Sequence, residues 1–378
     1  MGVKRSGSQA IEIRGVNSVN YGALLMFKAA SRRLEKNGYS VAVDGRAISV
    51  ESGALRLPRL ESRRLGGSVA ALDSVIQVAT RPLKSYATVG SLVGLLDCSG
   101  FVFSDRVPQY PAGRAVDIAR SYVKSGKPVI AMPQSFGPFS SRKSKNQIRQ
   151  FVELSTAVFV RDSTSIGYLL DAGVPQSVLR RCPDMTITLE PDDLPEAEYQ
   201  CTIVPSKRLV DRRGGMGSSY EDFLHRIVGR VNKRGLDVQL LCHETHDRDL
   251  VERLGDELSL SVAHAPDPLT AKRILGSSRL VIASRYHAAI SALSMGVPTM
   301  TIGWAHKYGD LIEDFGEGCA TLSNIEELDA FIAGLDSYSA SIANRVESLR
   351  RQVDHMWTEV FDLLLGQGIE KQESFPAK

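Results

Sequence analysis

Short apolar runs bounded by turn residues recur along this chain, each followed by a helical stretch of roughly 10–15 residues. Such runs show no alternation of polar and apolar positions, so both faces of each strand must be covered. That demand is met by a parallel sheet with helices on either side. The pattern predicts strands at Ala10–Val16, Tyr39–Val43, Val93–Leu96, Pro128–Met132 and Ala157–Val160, with a helix over about Gly22–Lys36. The acidic, proline-containing stretch Glu190–Glu198 reads as a linker, and a second series follows it. Strands are expected at Cys201–Pro205, Val238–Cys242, Leu260–Ala263, Leu280–Ala283 and Met300–Ile302. Helices fit Tyr220–Lys233, Arg248–Leu258, Leu269–Gly276 and His287–Met295, and a long amphipathic pattern, Ser339–Leu365, ends the series. The fold class expected is α/β: two Rossmann-like, doubly wound parallel-sheet domains facing each other across a cleft. The N-terminal domain is expected over 1–190 and the C-terminal domain over 199–338. The helix 339–366 is expected to pack back on the N-terminal domain. A chain of 378 residues is long enough to bury a core in each.

Charge and cysteine usage narrow the function. Lys and Arg number 46 against 43 Asp and Glu, a balance too even to argue for a nucleic-acid partner. The five cysteines lie far apart without a C-x-x-C pair and read as reduced core thiols. The opening residues lack the apolar stretch of a secretory signal. The uncharged run Tyr286–Ala305 is broken by Gly296 and Pro298, so it reads as a buried helix, turn and strand. The expected location is cytoplasmic.

In doubly wound sheets ligands sit beyond the carboxyl ends of the strands, so residues there carry the most information. The strongest signal is Ser284-Arg285-Tyr286-His287, where a strand hands over to a helix rich in small residues. Arg285 and His287 stand at a helix N-terminus, where free N–H groups favour anions. Together they could grip a phosphate or carboxylate and move a proton to it. Arg161 ends another strand, with Asp162 or Ser163 placed to cap the helix that follows. Gln134 and Ser135 end a third and suit sugar hydroxyls, although a plain turn would read the same. In the first loop, Asn17 and Asn20 either contact a ligand or cap the helix; no G-x-G-x-x-G is present, which disfavours a dinucleotide. Past Trp304, Lys307 could add positive charge, while His306 reads as a surface residue. The basic, glycine-rich loop Lys207–Ser219 could cradle a diphosphate or act as a lid. His243-Glu244-Thr245-His246-Asp247 lacks the H-E-x-x-H spacing that sets two histidines on one helical face, so no metal is expected. The basic patches 59–64 and 142–149 read as solvated faces.

Three segments, PQSFGPF, VFVRDSTS and SRYHAAISALSMGVP, together with the opening NSVNYGALL loop and the WAHKY segment, resemble the polysaccharide pyruvyltransferases. That family moves a pyruvyl group from phosphoenolpyruvate onto a sugar as a ketal, and it is similar to two-domain glycosyltransferases of the GT-B type. The resemblance implies that Arg161, Arg285 and His287 bind phosphoenolpyruvate, with His287 as the general acid and no cofactor or metal required. It also implies an acceptor side in the N-terminal domain and a donor side in the C-terminal one. The implied partners are phosphoenolpyruvate and a sugar carried on a nucleotide or lipid diphosphate, the latter bringing peripheral contact with a membrane. The chain differs from many members in its Asn20-Tyr21-Gly22-Ala23 and Asp97–Phe101 segments, both on the implied acceptor side. Two other readings share the expected fold. A GT-B glycosyltransferase would use a nucleotide sugar, against which the SRYHAAISALSMGVP segment itself carries no E-x₇-E pair. A non-catalytic scaffold of polysaccharide assembly would need neither Arg285 nor His287.

Overall fold

A computed structural model of the chain describes residues 9–16, 20–44, 55–57, 87–193, 199–210, 216, 219–303 and 307–366, without the side chains of 55–57, 307 and 310. It divides into two compact units, one of Met1–Ser18, Met26–Asp184 and Asp354–Lys378, the other of Val19–Leu25 and Met185–Val353.

The first unit runs β1 (Ala10–Arg14), α1 (Tyr21–Lys36), β2 (Ser40–Asp44), β3 (Leu55–Leu57), β4 (Leu92–Asp97), α2 (Gln109–Lys124), β5 (Val129–Gln134), α3 (Arg142–Leu154), β6 (Ala157–Val160), α4 (Ser163–Asp171) and β7 (Leu179–Arg181). The strands form one sheet in the order β3-β2-β1-β4-β5-β6-β7, and every pairing is parallel. β5 and β6 are buried along their whole length, as strands covered on both faces must be. Helix starts follow local chemistry. The Asp162 carboxylate accepts from the Ser165 N–H at 2.6 Å, and the Ser141 hydroxyl from the Ser144 N–H at 3.0 Å.

The second unit runs β8 (Cys201–Val204), α5 (Lys207–Val210), α6 (Ser219–Lys233), β9 (Val238–Cys242), α7 (Arg248–Leu258), β10 (Ser261–His264), α8 (Pro268–Gly276), β11 (Leu280–Ala283), α9 (Tyr286–Leu293), β12 (Thr299–Thr301), α10 (Lys307–Phe315), β13 (Cys319–Thr321), α11 (Glu327–Ala333) and α12 (Leu335–Leu364). Its sheet order is β10-β9-β8-β11-β12-β13, again parallel throughout. Each unit is therefore a Rossmann-like domain. The unit has an apolar cluster on either side of its sheet, one around Phe223, Ile227 and Leu240, the other around Ala289, Leu293 and Phe315.

Two helices change unit along their length. The first turn of α1 belongs to the second unit, where the Tyr21 hydroxyl donates to the Ala265 carbonyl at 2.6 Å. The end of α12 belongs to the first unit. There Trp357 is buried, Phe361 stacks on Tyr39 at 6.0 Å, and Leu364 lies against Gly94. No helix among the described residues is long and apolar enough to cross a membrane. All five cysteines are buried free thiols.

Candidate active site

In the second unit the strand order reverses between β8 and β11, the topological switch point of its sheet. β11 ends at Ala283, and the Ser284 N–H donates back to the Val204 carbonyl at 2.9 Å, extending the pairing by one residue. Ser284 is then held by two buried tyrosines. The Tyr220 hydroxyl lies 2.8 Å from its Oγ, and the Tyr308 hydroxyl donates to its carbonyl at 3.1 Å. The next residue, Arg285, stands at the N-cap of α9 but makes no side-chain cap bond.

The Arg285 guanidinium is 6% exposed and gripped by two acids. Its Nε and Nη2 donate to both oxygens of Asp247 at 2.8 and 2.6 Å, and its Nη1 reaches Glu244 Oε2 at 2.7 Å. Burial works against its charge, but the Asp247 bonds and the two negative charges outweigh it and raise its pKa. Asp247 is itself fully buried and also accepts from the Lys207 N–H at 2.8 Å. Glu244 and Asp247 thus anchor an arginine.

His287, the second residue of α9, is partly exposed. Its ring rests on the backbone of Gly22 in the first turn of α1. A Cβ at Gly22 would lie 2.1 Å from His287 Nδ1, so no side chain fits there. The Tyr286 ring meets the imidazole edge-on at 5.3 Å. On the neighbouring residue of α1, the Tyr21 ring meets a second imidazole, His243, at 5.5 Å. His243 is 1% exposed, and burial together with the charges of Arg285 and His287 pulls its pKa down to about 3. It is neutral at physiological pH.

In the first unit, Arg161 leaves the end of β6 and is 3% exposed. Its Nη1 donates to Asp184 Oδ2 at 2.8 Å and its Nη2 to Ser135 Oγ at 2.8 Å. Gln134 is fully buried and donates weakly to the Asp97 carbonyl at 3.4 Å. Its Oε1 has no hydrogen-bond partner among the described residues. Cys98 lies beside this cluster, and burial with the charges of Asp97 and Asp184 raises its thiol pKa well above the ordinary value.

A model of the family described as polysaccharide pyruvyl transferase matches residues 20–306. The chain belongs to that family. Among curated relatives, this chain is 25% identical over 218 residues to an amylovoran biosynthesis protein, AmsJ, of Erwinia amylovora. The match covers 50% of this chain and 52% of AmsJ, so the chain spans about half the length of that relative. Among solved structures, a putative UDP-N-acetylglucosamine 2-epimerase from Listeria monocytogenes superposes with a TM-score of 0.61 at 11% identity, covering 98% of this chain and all of its own. The UDP-GlcNAc 2-epimerase of Neisseria meningitidis gives 0.59 at 10% identity, covering 95% of this chain and 100% of its own. At such identities the likeness is one of fold.

Arg285 and His287 share the switch point of the second unit, and Arg161, Gln134 and Ser135 share one cluster in the first. Asn20 caps α1, its Oδ1 accepting from the Ala23 N–H at 3.2 Å. Asn17, His306 and the patch 59–64 lie outside the described residues, and Lys307 is described only as the first residue of α10. From the basic loop, Leu209, Met216 and Ser219 line a cavity of about 550 Å³ with Phe223, Arg226 and Ile302. Sequence reasoning missed Glu244 and Asp247 as partners of Arg285, Asp184 as partner of Arg161, and His243 and Gly22 as neighbours of His287. Three of them, His243, Glu244 and Asp247, lie in the HETHD stretch, which in the sequence reads only as a candidate metal site.

Proposed function

We propose that this pyruvyl transferase takes its pyruvyl group from phosphoenolpyruvate and sets it on two hydroxyls of one sugar as a cyclic ketal. The observation that carries this reading is His287: a partly exposed imidazole at the switch point, seated on Gly22, beside an arginine already fixed by Asp247. His287, protonated, delivers its proton to the methylene carbon of phosphoenolpyruvate, and C2 becomes cation-like. A sugar hydroxyl adds there, and its proton returns to the imidazole. Phosphate then leaves with the C–O electron pair. The second hydroxyl closes the ring, and its proton leaves with the phosphate. An imidazole, titrating ordinarily near ~6.5, suits a group that gives and regains a proton near neutrality.

The uncapped N–H groups at the start of α9 and the two unspent N–H groups of Arg285 favour the donor's carboxylate or phosphate. We assign Arg161 to donor binding on the family resemblance, and Lys307, Gln134, Ser135, Asn17 and Asn20 to substrate binding on their places past strand ends and in the first loop. The acceptor we assign is a sugar unit of an exported polysaccharide, carried on a nucleotide or lipid diphosphate, with the reaction in the cytoplasm. The test is phosphate release from phosphoenolpyruvate against a panel of such acceptors, with the product mass read in parallel. A product heavier than its acceptor by one pyruvic acid less one water supports the reading. Binding of a nucleotide sugar with no use of phosphoenolpyruvate would replace it with glycosyl transfer.

A further inference from the structure

The proposed reaction leaves one costly group of the second unit unused. His243 follows β9, is 1% exposed, and has no hydrogen-bond partner among the described residues at either ring nitrogen. The groups around it are committed elsewhere. The Tyr21 hydroxyl, at the far end of the ring that His243 meets, donates to Ala265. Glu244 and Asp247, which follow it in the chain, grip Arg285. A neutral imidazole carries one N–H and one lone pair, and leaving either unmade in an interior costs about 1–3 kcal/mol. A phenyl ring would fill the same space against Tyr21 without that cost.

The physical link to the chemistry is the Tyr21–Gly22 step of α1. Tyr21 rests on His243, and the residue after it is the seat of His287. We propose that His243 is a positioning residue for His287, acting through the first turn of α1, with ring nitrogens reserved for hydrogen bonds that form when substrate is bound. The nitrogens, not the shape of the ring, are then what the position requires. Burial first, and then the nearby Arg285 and His287, hold the ring in its neutral form, able to donate and accept at once.

This inference rests on His287 being the acid. The experiment compares full-length wild type, His243→Phe, His243→Gln and His287→Ala by thermal melting and by steady-state kinetics with phosphoenolpyruvate. His243→Phe should melt at or above the wild-type temperature. Its kcat should fall by about tenfold to ~10²-fold, the scale of a slightly misplaced catalytic group. Its KM for phosphoenolpyruvate should change little, and His243→Gln should recover part of the lost kcat. Wild-type kcat in His243→Phe, with His287→Ala inactive, overturns the inference and leaves the function standing. A clearly lower melting temperature in His243→Phe also overturns it, because the nitrogens would then be satisfied structurally. Wild type that leaves phosphoenolpyruvate untouched removes both.

Discussion

The Cα of Gly22 is packed directly against the imidazole of His287, with 2.1 Å between Nδ1 and the place a Cβ would occupy. Alanine in a helix is ordinarily better than glycine by roughly 0.5–1 kcal/mol. At Gly22 that gain is opposed by displacement of His287. Gly22→Ala should therefore remain folded and lose most of its turnover, while Gly229→Ala, where nothing lies within 4 Å, should gain stability and keep its activity. Paired melting curves and rates check both; full activity in Gly22→Ala would show that His287 need not sit where it does.

Asp247 should matter far more to stability than an ordinary acid. It is fully buried and takes two bonds from Arg285 and one from the Lys207 backbone. Truncating one partner of a buried ion pair leaves the other charge stranded, at a cost of about 3–5 kcal/mol. Urea denaturation of Asp247→Ala should show a loss of that order. Asp336→Ala, whose carboxylate is 93% exposed beside Arg279, should be indistinguishable from wild type.

Turnover and affinity should separate among the cations. His287→Ala is expected to lower kcat by ~10²–10⁴-fold, the range for a lost acid–base group, with a small change in phosphoenolpyruvate affinity. Arg161→Ala and Arg285→Ala should weaken that affinity. Calorimetric titration of each variant with phosphoenolpyruvate decides it. Unchanged affinity in both arginine variants would return them to the purely structural pairs they make with Asp184 and Asp247.

His243 predicts a pH dependence of stability. Its folded pKa is about 3 against an ordinary 6.5, so between those values the unfolded chain binds a proton that the folded chain refuses. Stability from this group is full above the ordinary value and is lost as pH falls below it, at about 1.4 kcal/mol per pH unit. Between about pH 7 and 5, wild type should lose about 2 kcal/mol more than His243→Phe, read by urea melts.

The long, fully buried strands were legible because a parallel sheet requires continuous apolar runs; Ala157–Val160, Val238–Cys242 and Leu280–Ala283 lie where that rule puts them. Leu179–Arg181 and Cys319–Thr321 were not, since a strand of three residues at a sheet edge carries no periodicity. At the candidate site, Arg285 and His287 could be read together because strand end, helix start and both candidate residues fall within one short segment. The clamp on Arg285 could not. Its acids lie on another loop, 38 residues away for Asp247, and only the neighbouring positions of β9, β8 and β11 in the sheet bring them together. Gly22 was invisible for a similar reason: a glycine needed for a distant ring looks like any glycine in a helix.

The clamp also has an arithmetic that bears on redesign. One guanidinium facing two carboxylates sums to a formal charge of minus one, so this trio by itself repels an approaching polyanion. Attraction of a donor must then come from hydrogen bonds, those of the α9 N–H groups and the two remaining N–H groups of Arg285, and from charge outside the trio. A neutral amide at position 244 would tip the sum to zero while sparing the two-pronged hold of Asp247. Glu244→Gln is therefore a route to an enzyme with a stronger, less discriminating appetite for negatively charged small molecules.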